Sequence, residues 1–219
     1  MRAIQLAEEP NSIEVKTVSE AIARLASERV TEALVGDERH VELAQLLAAA
    51  ASHKPLNSCL KQPPRLPADS TVREAAHHML SLGSRLALID GRVLTLRGLV
   101  RACLECKLRV AAEALAPTYM LPENPTLSQI AEAAAESRGA ATPLGYSSEI
   151  ELAEAALALL EGRSLHIKTI AARVDLGSPA SQAAYTMISE KTPSIPVYTG
   201  SKLTGIITEE KLIALCLKL

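Results

Sequence analysis

The sequence predicts a mixed α/β (α+β) fold made of four copies of one β-α-β-β-α unit, and three observations predict it. The first is a period near 54 residues. Thr17-Val18-Ser19-Glu20-Ala21, Thr71-Val72-Arg73-Glu74-Ala75, Thr126-Leu127-Ser128-Gln129-Ile130 and Pro179-Ala180-Ser181-Gln182-Ala183 open the same phrase, with starts 54, 55 and 53 residues apart. The second is an apolar pair 17 positions after each start: Leu34/Val35, Leu88/Ile89, Pro143/Leu144 and Pro196/Val197. The third is size. No single copy is long enough to own a core, so the copies must stack and bury one another's apolar faces.

The elements follow in order within each unit. A short entry segment (Leu56 to Leu60 in unit two, Ile167 to Ile170 in unit four) leads to an extended stretch. That stretch ends in turn residues, Leu66-Pro67-Ala68-Asp69-Ser70 in unit two and Leu121-Pro122-Glu123-Asn124-Pro125 in unit three. A helix then starts on a capping box, Thr17/Glu20, Thr71/Glu74 or Thr126/Gln129, in which cap hydroxyl and third-residue side chain satisfy each other's backbone donors. In unit four Ser178 is the expected cap, with Pro179 in the first helical turn. The strand carrying the apolar pair follows. Unit four then shows a full hairpin, Ile195 to Tyr198 and Leu203 to Ile207 around Thr199-Gly200-Ser201-Lys202, and unit two a shorter one around Asp90-Gly91. In units one and three the hairpin reads as eroded, with most of its second strand lost. Closing helices are expected over Val41 to Ala51, Leu99 to Cys106, Ile150 to Leu160 and Glu210 to Leu217. The units are then 1–54, 55–109, 110–162 and 163–219, paired as two modules, 1–109 and 110–219.

Composition narrows the function. The chain has 219 residues, 48% of them hydrophobic, yet no Phe, no Trp and four Tyr, with a net charge of −2. Too few aromatic rings are present to stack bases, and no basic stripe exists to track phosphates, which argues against nucleic acid. No stretch approaches the ~18 apolar residues of a membrane span, and the acidic N-terminus does not read as a secretory leader; the expected location is cytoplasmic. Four cysteines are too few for a disulfide scaffold at this length. Cys103-x-x-Cys106 lacks the second pair of ligands that a closed zinc site needs. No Ser/His/Asp arrangement, paired catalytic carboxylates or phosphate-cradling Gly-rich loop stands out, so no enzyme and no metal are expected.

The unit resembles the cystathionine β-synthase (CBS) domain, most closely in unit four. There Ser194-Ile195-Pro196-Val197-Tyr198 is similar to the family's Leu-Pro-Val-Val-Asp strand. Gly205-Ile206-Ile207-Thr208-Glu209-Glu210-Lys211-Leu212 is similar to its Gly-hydrophobic-hydrophobic-Thr/Ser-x-x-Asp signature. The resemblance implies two tandem Bateman modules, each a pseudo-twofold pair. It further implies an adenosine-containing ligand (AMP, ADP, ATP or S-adenosylmethionine) in a cleft between paired units. In that pattern hydroxyl and carboxylate hold ribose and phosphate, and the base lies on the entry and Pro-Val strands. A hydroxyl at a helix N-terminus does sit among free N–H donors that favour a phosphate.

Set on each copy, the signature is nowhere complete. Unit four has Thr208 with Lys211 in the acid position; unit three has Ser148 with Glu151; unit two has Thr95 with Gly98; unit one has Arg39 with Glu42. Thr208 serves equally well as a plain cap worth ~1 kcal/mol, and Ser148/Glu151 as a capping box. Lys211 in the first turn opposes the helix dipole, which a nearby anion or simple solvation would relieve. The expected ligand therefore lies between units three and four, its phosphate near Thr208 and Lys211. The base is expected along Pro196-Val197 and Val174-Asp175-Leu176, with Ser148 and Glu151 on the unit-three side. Three functions remain in order: a stand-alone sensor signalling to a partner protein, a scaffold with decayed sites, and a DNA-binding regulator. Homo-oligomerisation is expected from apolar helix faces left uncovered.

Overall fold

Helix caps set the frame of the structure, a computed structural model that describes residues 1–10, 12–36 and 38–219. In α1 (Val18–Glu28), α3 (Val72–Ser81) and α5 (Leu127–Ser137) the hydroxyls of Thr17, Thr71 and Thr126 accept the backbone N–H of Glu20, Glu74 and Gln129 at 3.1, 3.2 and 3.3 Å. The side chains of those third residues accept in return from the cap N–H, so all three expected capping boxes form. In unit four the cap is Pro179 and not Ser178: its ψ of 135° holds it outside α7 (Ala180–Ser189), and it offers no side-chain bond.

Every unit carries one three-stranded sheet in which an entry strand runs parallel to a middle strand and a hairpin returns antiparallel. The strands are β1 (Ser12–Ile13), β2 (Glu32–Val35) and β3 (Arg39–Glu42); β4 (Arg65–Leu66), β5 (Leu86–Ile89) and β6 (Arg92–Thr95). Units three and four follow with β7 (Tyr119–Met120), β8 (Gly139–Thr142) and β9 (Gly145–Ser148), then β10 (Val174–Asp175), β11 (Ser194–Thr199) and β12 (Lys202–Thr208). The hairpins of units one and three are thus intact and as long as that of unit two. The sequence hid them because Arg39-His40-Val41-Glu42 and Gly145-Tyr146-Ser147-Ser148 each carry a single β-branched or aromatic residue of the kind that marks strands.

The register identifies equivalent residues. The first residue of each middle strand faces the residue that caps the closing helix: Glu32↔Glu42, Leu86↔Thr95, Gly139↔Ser148 and Ser194↔Thr208. By this count Leu34/Val35, Leu88/Ile89 and Pro196/Val197 coincide, but their counterpart in unit three is Ala141/Thr142. Pro143 and Leu144 form the turn between β8 and β9. The cause is a shorter link. Two residues separate the left-handed residue after the first helix (Arg29, Gly83, Lys191) from the middle strand in three units, whereas in unit three Arg138 runs straight into Gly139. The same register corrects unit one. Glu42 stands at the hydroxyl position and Gln45 at the acid position, three residues beyond the expected Arg39 and Glu42.

Closing helices are α2 (Leu43–Ala51), α4 (Leu96–Val100, continued by a 3-10 turn over Arg101–Glu105), α6 (Glu149–Leu160) and α8 (Glu209–Leu217). Two kinds of contact join the units. Helices bury their apolar faces across alternate units. One core gathers Ile22, Leu25 and Leu46 of unit one with Ile130, Ile150 and Leu152 of unit three; the other gathers Met79, Leu94 and Leu99 of unit two with Met187, Ile195 and Ile213 of unit four. Sheets meet between neighbours: Leu34 packs with Leu86, Leu88 and Val93, and the Tyr146 hydroxyl bonds that of Ser194 at 2.7 Å. Gly139 permits this last contact, since a Cβ there would stand 2.2 Å from the Tyr146 hydroxyl.

The entry segments cross over. Glu8 bridges Val93, Lys61 bridges His40, Ala116 bridges Ile206 and Ile170 bridges Tyr146, so each segment covers the sheet of the neighbouring unit and not its own. Units one and two exchange segments with each other, as do three and four.

Candidate functional site

Charged side chains at the starts of the closing helices link all four units. Arg85, 1% exposed, lies just before β5 and extends its guanidinium across the interface. Its Nε donates to Glu32 Oε2 at 3.2 Å, its Nη1 to Glu210 Oε1 at 2.6 Å and its Nη2 to Glu209, while its backbone N–H reaches Glu42 Oε1 at 3.3 Å. Arg97 in the first turn of α4 donates to Glu209 Oε1 at 3.0 Å and to the carbonyl of Arg29 at 3.0 Å. Arg29, the left-handed cap of α1, donates to Glu151 Oε1 at 2.9 Å. Arg138, the left-handed cap of α5, lies 3.4 Å from Glu210 Oε1 and 3.8 Å from Glu149 Oε2. Among the described residues this cluster holds six carboxylates (Glu32, Glu42, Glu149, Glu151, Glu209, Glu210) against four guanidiniums.

The environment splits these acids. Burial pushes Glu149 up to about 7, against the pull of Arg138 and Arg85, and neither of its oxygens has a hydrogen-bond partner among the described residues. Burial also raises Glu209 despite Arg97 and Arg85. Burial opposes ionisation of Glu210 as well, but there Arg85 and Arg138 prevail and hold it below the usual carboxylate value. Glu42 is lowered in the same way, with the His40 imidazole 3.5 Å away and Arg85 outweighing burial.

A folded-state value raised above the unfolded one means that the folded state binds the Glu149 proton more tightly. Its contribution to stability is therefore full below about pH 4.5 and lost as pH rises through about 7. Glu149→Gln, which keeps the neutral shape, is expected to melt above the wild type at pH 8.5 by an amount equivalent to roughly 1–3 kcal/mol. The gap should close by pH 5, as scanning calorimetry at the two pH values would show.

The expected site residues fall into three groups. Ser148 and Glu151 are buried and form a capping box, and Glu151 is committed to Arg29; they belong to the interior. Val174 and Val197 pair across β10 and β11 with side chains in the core, next to buried Pro196, while Asp175 is exposed and the Leu176 N–H donates to the Tyr198 carbonyl at 2.7 Å. Thr208 caps α8, its hydroxyl accepting from the Lys211 N–H at 3.4 Å. Lys211 is exposed on the wall of a cleft of about 300 Å³, shared with Gly83, Ser84 and Arg85 of unit two, Arg138 of unit three and Glu210 of unit four. A second cleft of about 340 Å³ carries the equivalent parts two units over: Thr95, Arg97 and Arg101 of unit two, Arg29 and Thr31 of unit one, Lys191 of unit four. Arg85, Arg138, Glu209 and Glu210 were missed by sequence reasoning. A signal was available, since Glu149 and Glu209 hold the same first-turn position in two units.

Among the described residues no three His, Cys, Asp or Glu side chains are placed to hold a metal ion, and no helix is long and apolar enough to cross a membrane.

The family model for the CBS domain matches residues 169–218. No curated protein matches the chain. Among solved structures, a Methanocaldococcus jannaschii protein described as a proposed archaeal homologue of g-AMPK superimposes with a TM-score of 0.76 at 14% identity, covering 97% of this chain and 99% of that one. An uncharacterised conserved protein from Pyrococcus horikoshii gives 0.65 at 14% identity, covering 99% and 100%. A Pyrobaculum aerophilum CBS domain protein complexed with AMP is 22% identical over 45% of this chain and 89% of that one, at a TM-score of 0.39, too low to bear on fold or ligand. The likenesses at 0.76 and 0.65 span both chains nearly end to end, so they concern the four-unit arrangement as well as the unit. The fourth unit matches the CBS domain, and units one to three repeat its strand order, register and helix placement.

Proposed function

We propose that this is a regulatory protein without catalytic activity. It binds an adenosine-containing ligand (AMP, ADP, ATP or S-adenosylmethionine) in the C-terminal pair of units, 110–219, and signals occupancy to a partner protein; 1–109 forms the other pair. The observation that carries this reading is the cleft beside the first turn of α8, where exposed Lys211 stands over a wall built from units two, three and four. A cleft near 300 Å³ is at the small end of ligand sites. Binding there would bridge units two, three and four, which is how an occupied site changes what a partner sees. Thr208 and Lys211 would lie at the phosphate end. The base is proposed on the backbone of Pro196-Val197 and Val174-Asp175-Leu176, which lies outside the lining of this cleft, with Ser148 and Glu151 as interior support.

A ligand present at 100 times its dissociation constant stabilises by ~2.7 kcal/mol, a melting shift of about 5–10 °C for a chain of this size. A thermal-shift panel of AMP, ADP, ATP and S-adenosylmethionine tests the reading. Calorimetric titration of Lys211→Glu tests the site: binding of AMP should weaken about tenfold, ~1.4 kcal/mol, while adenosine binds as before. Equal affinities would remove Lys211 from the site.

A scaffold with decayed sites is the second reading, and one observation favours it: the chain's own Glu149 and Glu209 occupy the first turns of α6 and α8. Absence of any ligand-induced shift would support it. Exposed Leu82, Leu104 and Leu108 support self-association under either reading, for which light scattering at rising concentration is the check.

A further inference from the structure

The charge around the α8 cleft says more about its ligand than the fold does. Two guanidiniums edge it, Arg85 and Arg138, and each is already engaged. Arg85 holds Glu32, Glu209 and Glu210; Arg138 faces Glu149 and Glu210. Glu210 Oε1 lies between them, 2.6 Å from Arg85 Nη1 and 3.4 Å from Arg138 Nε, while Oε2 is buried and has no hydrogen-bond partner among the described residues. Behind it stand Glu149 and Glu209, both inaccessible to solvent. Among the described residues Lys211 is then the cation lining this cleft that forms no ion pair.

One negative charge can be answered by Lys211. Further phosphates extending toward the centre would meet the fixed Glu210 carboxylate, in a partly buried setting where like charges repel strongly. They could be accommodated only by taking Arg85 and Arg138 away from acids that would then be stranded.

We infer that Glu210 is a specificity-determining residue: its carboxylate occupies the guanidinium fork between Arg85 and Arg138, so the cleft takes an adenosine ligand with a single phosphate and rejects a polyphosphate. This rests on the adenosine-ligand reading above and adds to it a source of discrimination within the chain. It is specificity through a repulsive element and not through a better contact.

The test is calorimetric titration of the full chain, wild type and Glu210→Gln, with adenosine, AMP and ATP. In the wild type AMP is expected to bind at least tenfold tighter than ATP. In Glu210→Gln that ratio should fall at least fivefold, through a gain for ATP, while adenosine binds unchanged. Glu210→Asp, which keeps the charge, should keep the wild-type preference. ATP binding as tightly as AMP in the wild type would overturn the inference and leave the adenosine-ligand reading standing, and so would an unchanged ratio in a Glu210→Gln protein that melts cooperatively. Should the Gln variant not fold, the wild-type ratio still decides. If none of the three binds, nor ADP nor S-adenosylmethionine, the parent reading falls and this one with it.

Discussion

Arg85→Met is expected to cost the protein about 3–5 kcal/mol, the loss typical when one partner of a buried ion pair is removed, or to abolish soluble expression. Met keeps the length and apolar stem of the arginine but strands three carboxylates. Glu209 is fully buried, the Glu32 side chain is 4% exposed and Glu210 is partly buried, and Arg85 donates a separate N–H to each. Arg97 still holds one oxygen of Glu209, and Arg138 still faces Glu210, so these acids are not equally abandoned; Glu32 loses most. Arg85→Lys should lose less, since charge is kept, yet a single ammonium cannot fork to three separated acceptors as a guanidinium does. The pH dependence tells the mechanism from simple loss of packing. Stranded acids have folded-state values above their unfolded ones, so the stability they contribute is present at low pH and lost as pH rises through the folded values. Arg85→Met should therefore recover part of its deficit between pH 7 and pH 5, and adding Glu32→Gln should restore part of it at pH 7. Urea unfolding at both pH values is the measurement. A deficit that does not change with pH would show that Arg85 acts through packing alone.

What could be read from the sequence depended on distance along the chain. Capping boxes are local: three residues decide whether Thr17, Thr71 and Thr126 start a helix, and all three do. The repeat was legible for the same reason, because each copy writes its own caps. Errors arose where an offset had to be assumed constant. The apolar pair was placed a fixed distance after each cap, and in unit three the missing two-residue link moves it from Pro143/Leu144 to Ala141/Thr142. In unit one Arg39 was given the cap position that Glu42 holds, because no hydroxyl residue marks the end of β3. The central ion pairs were out of reach. Arg85 meets Glu32 and Glu209 across 53 and 124 residues, and each of these reads on its own as a solvated surface charge. A buried charge cluster has no period. Thr208 caps its helix, a local feature that both of its readings share, whereas the burial of Ser148 and Glu151 and their tie to Arg29 depend on another unit.

Reducing agent is expected to lower the melting temperature by on the order of 10 °C, and Cys216→Ser to do the same without it. The sequence argued against a disulfide framework, and the cysteines do not form one; yet Cys106, at the end of the 3-10 turn that continues α4, is bonded to Cys216 near the end of α8. Spacing could not show this, since the partners are 110 residues apart and the nearer pairing, Cys103 with Cys106, is the one that suggests itself. Cys103 is instead buried against α8, its thiol directed at the Leu212 carbonyl at 3.9 Å and its pKa pushed up to about 12 by burial, so it is a poor nucleophile. A cross-link closing a loop of this length removes denatured-state entropy worth about 4–5 kcal/mol in the chain-entropy model, and each kcal/mol moves the midpoint of a chain this size by about 2–4 °C. The full amount presumes that the unfolded, reduced chain keeps no contact between α4 and α8. Residual structure there would reduce the shift. The controls separate cross-linking from packing. Cys216→Ser should melt at the same temperature with and without reductant, matching the reduced wild type. Cys103→Ser should keep the wild-type dependence on reductant while losing some stability at both settings, because it places a hydroxyl in an apolar contact. Equal melting of oxidised and reduced wild type would show that the second and fourth units are held by their shared apolar core, with the covalent link adding nothing to it.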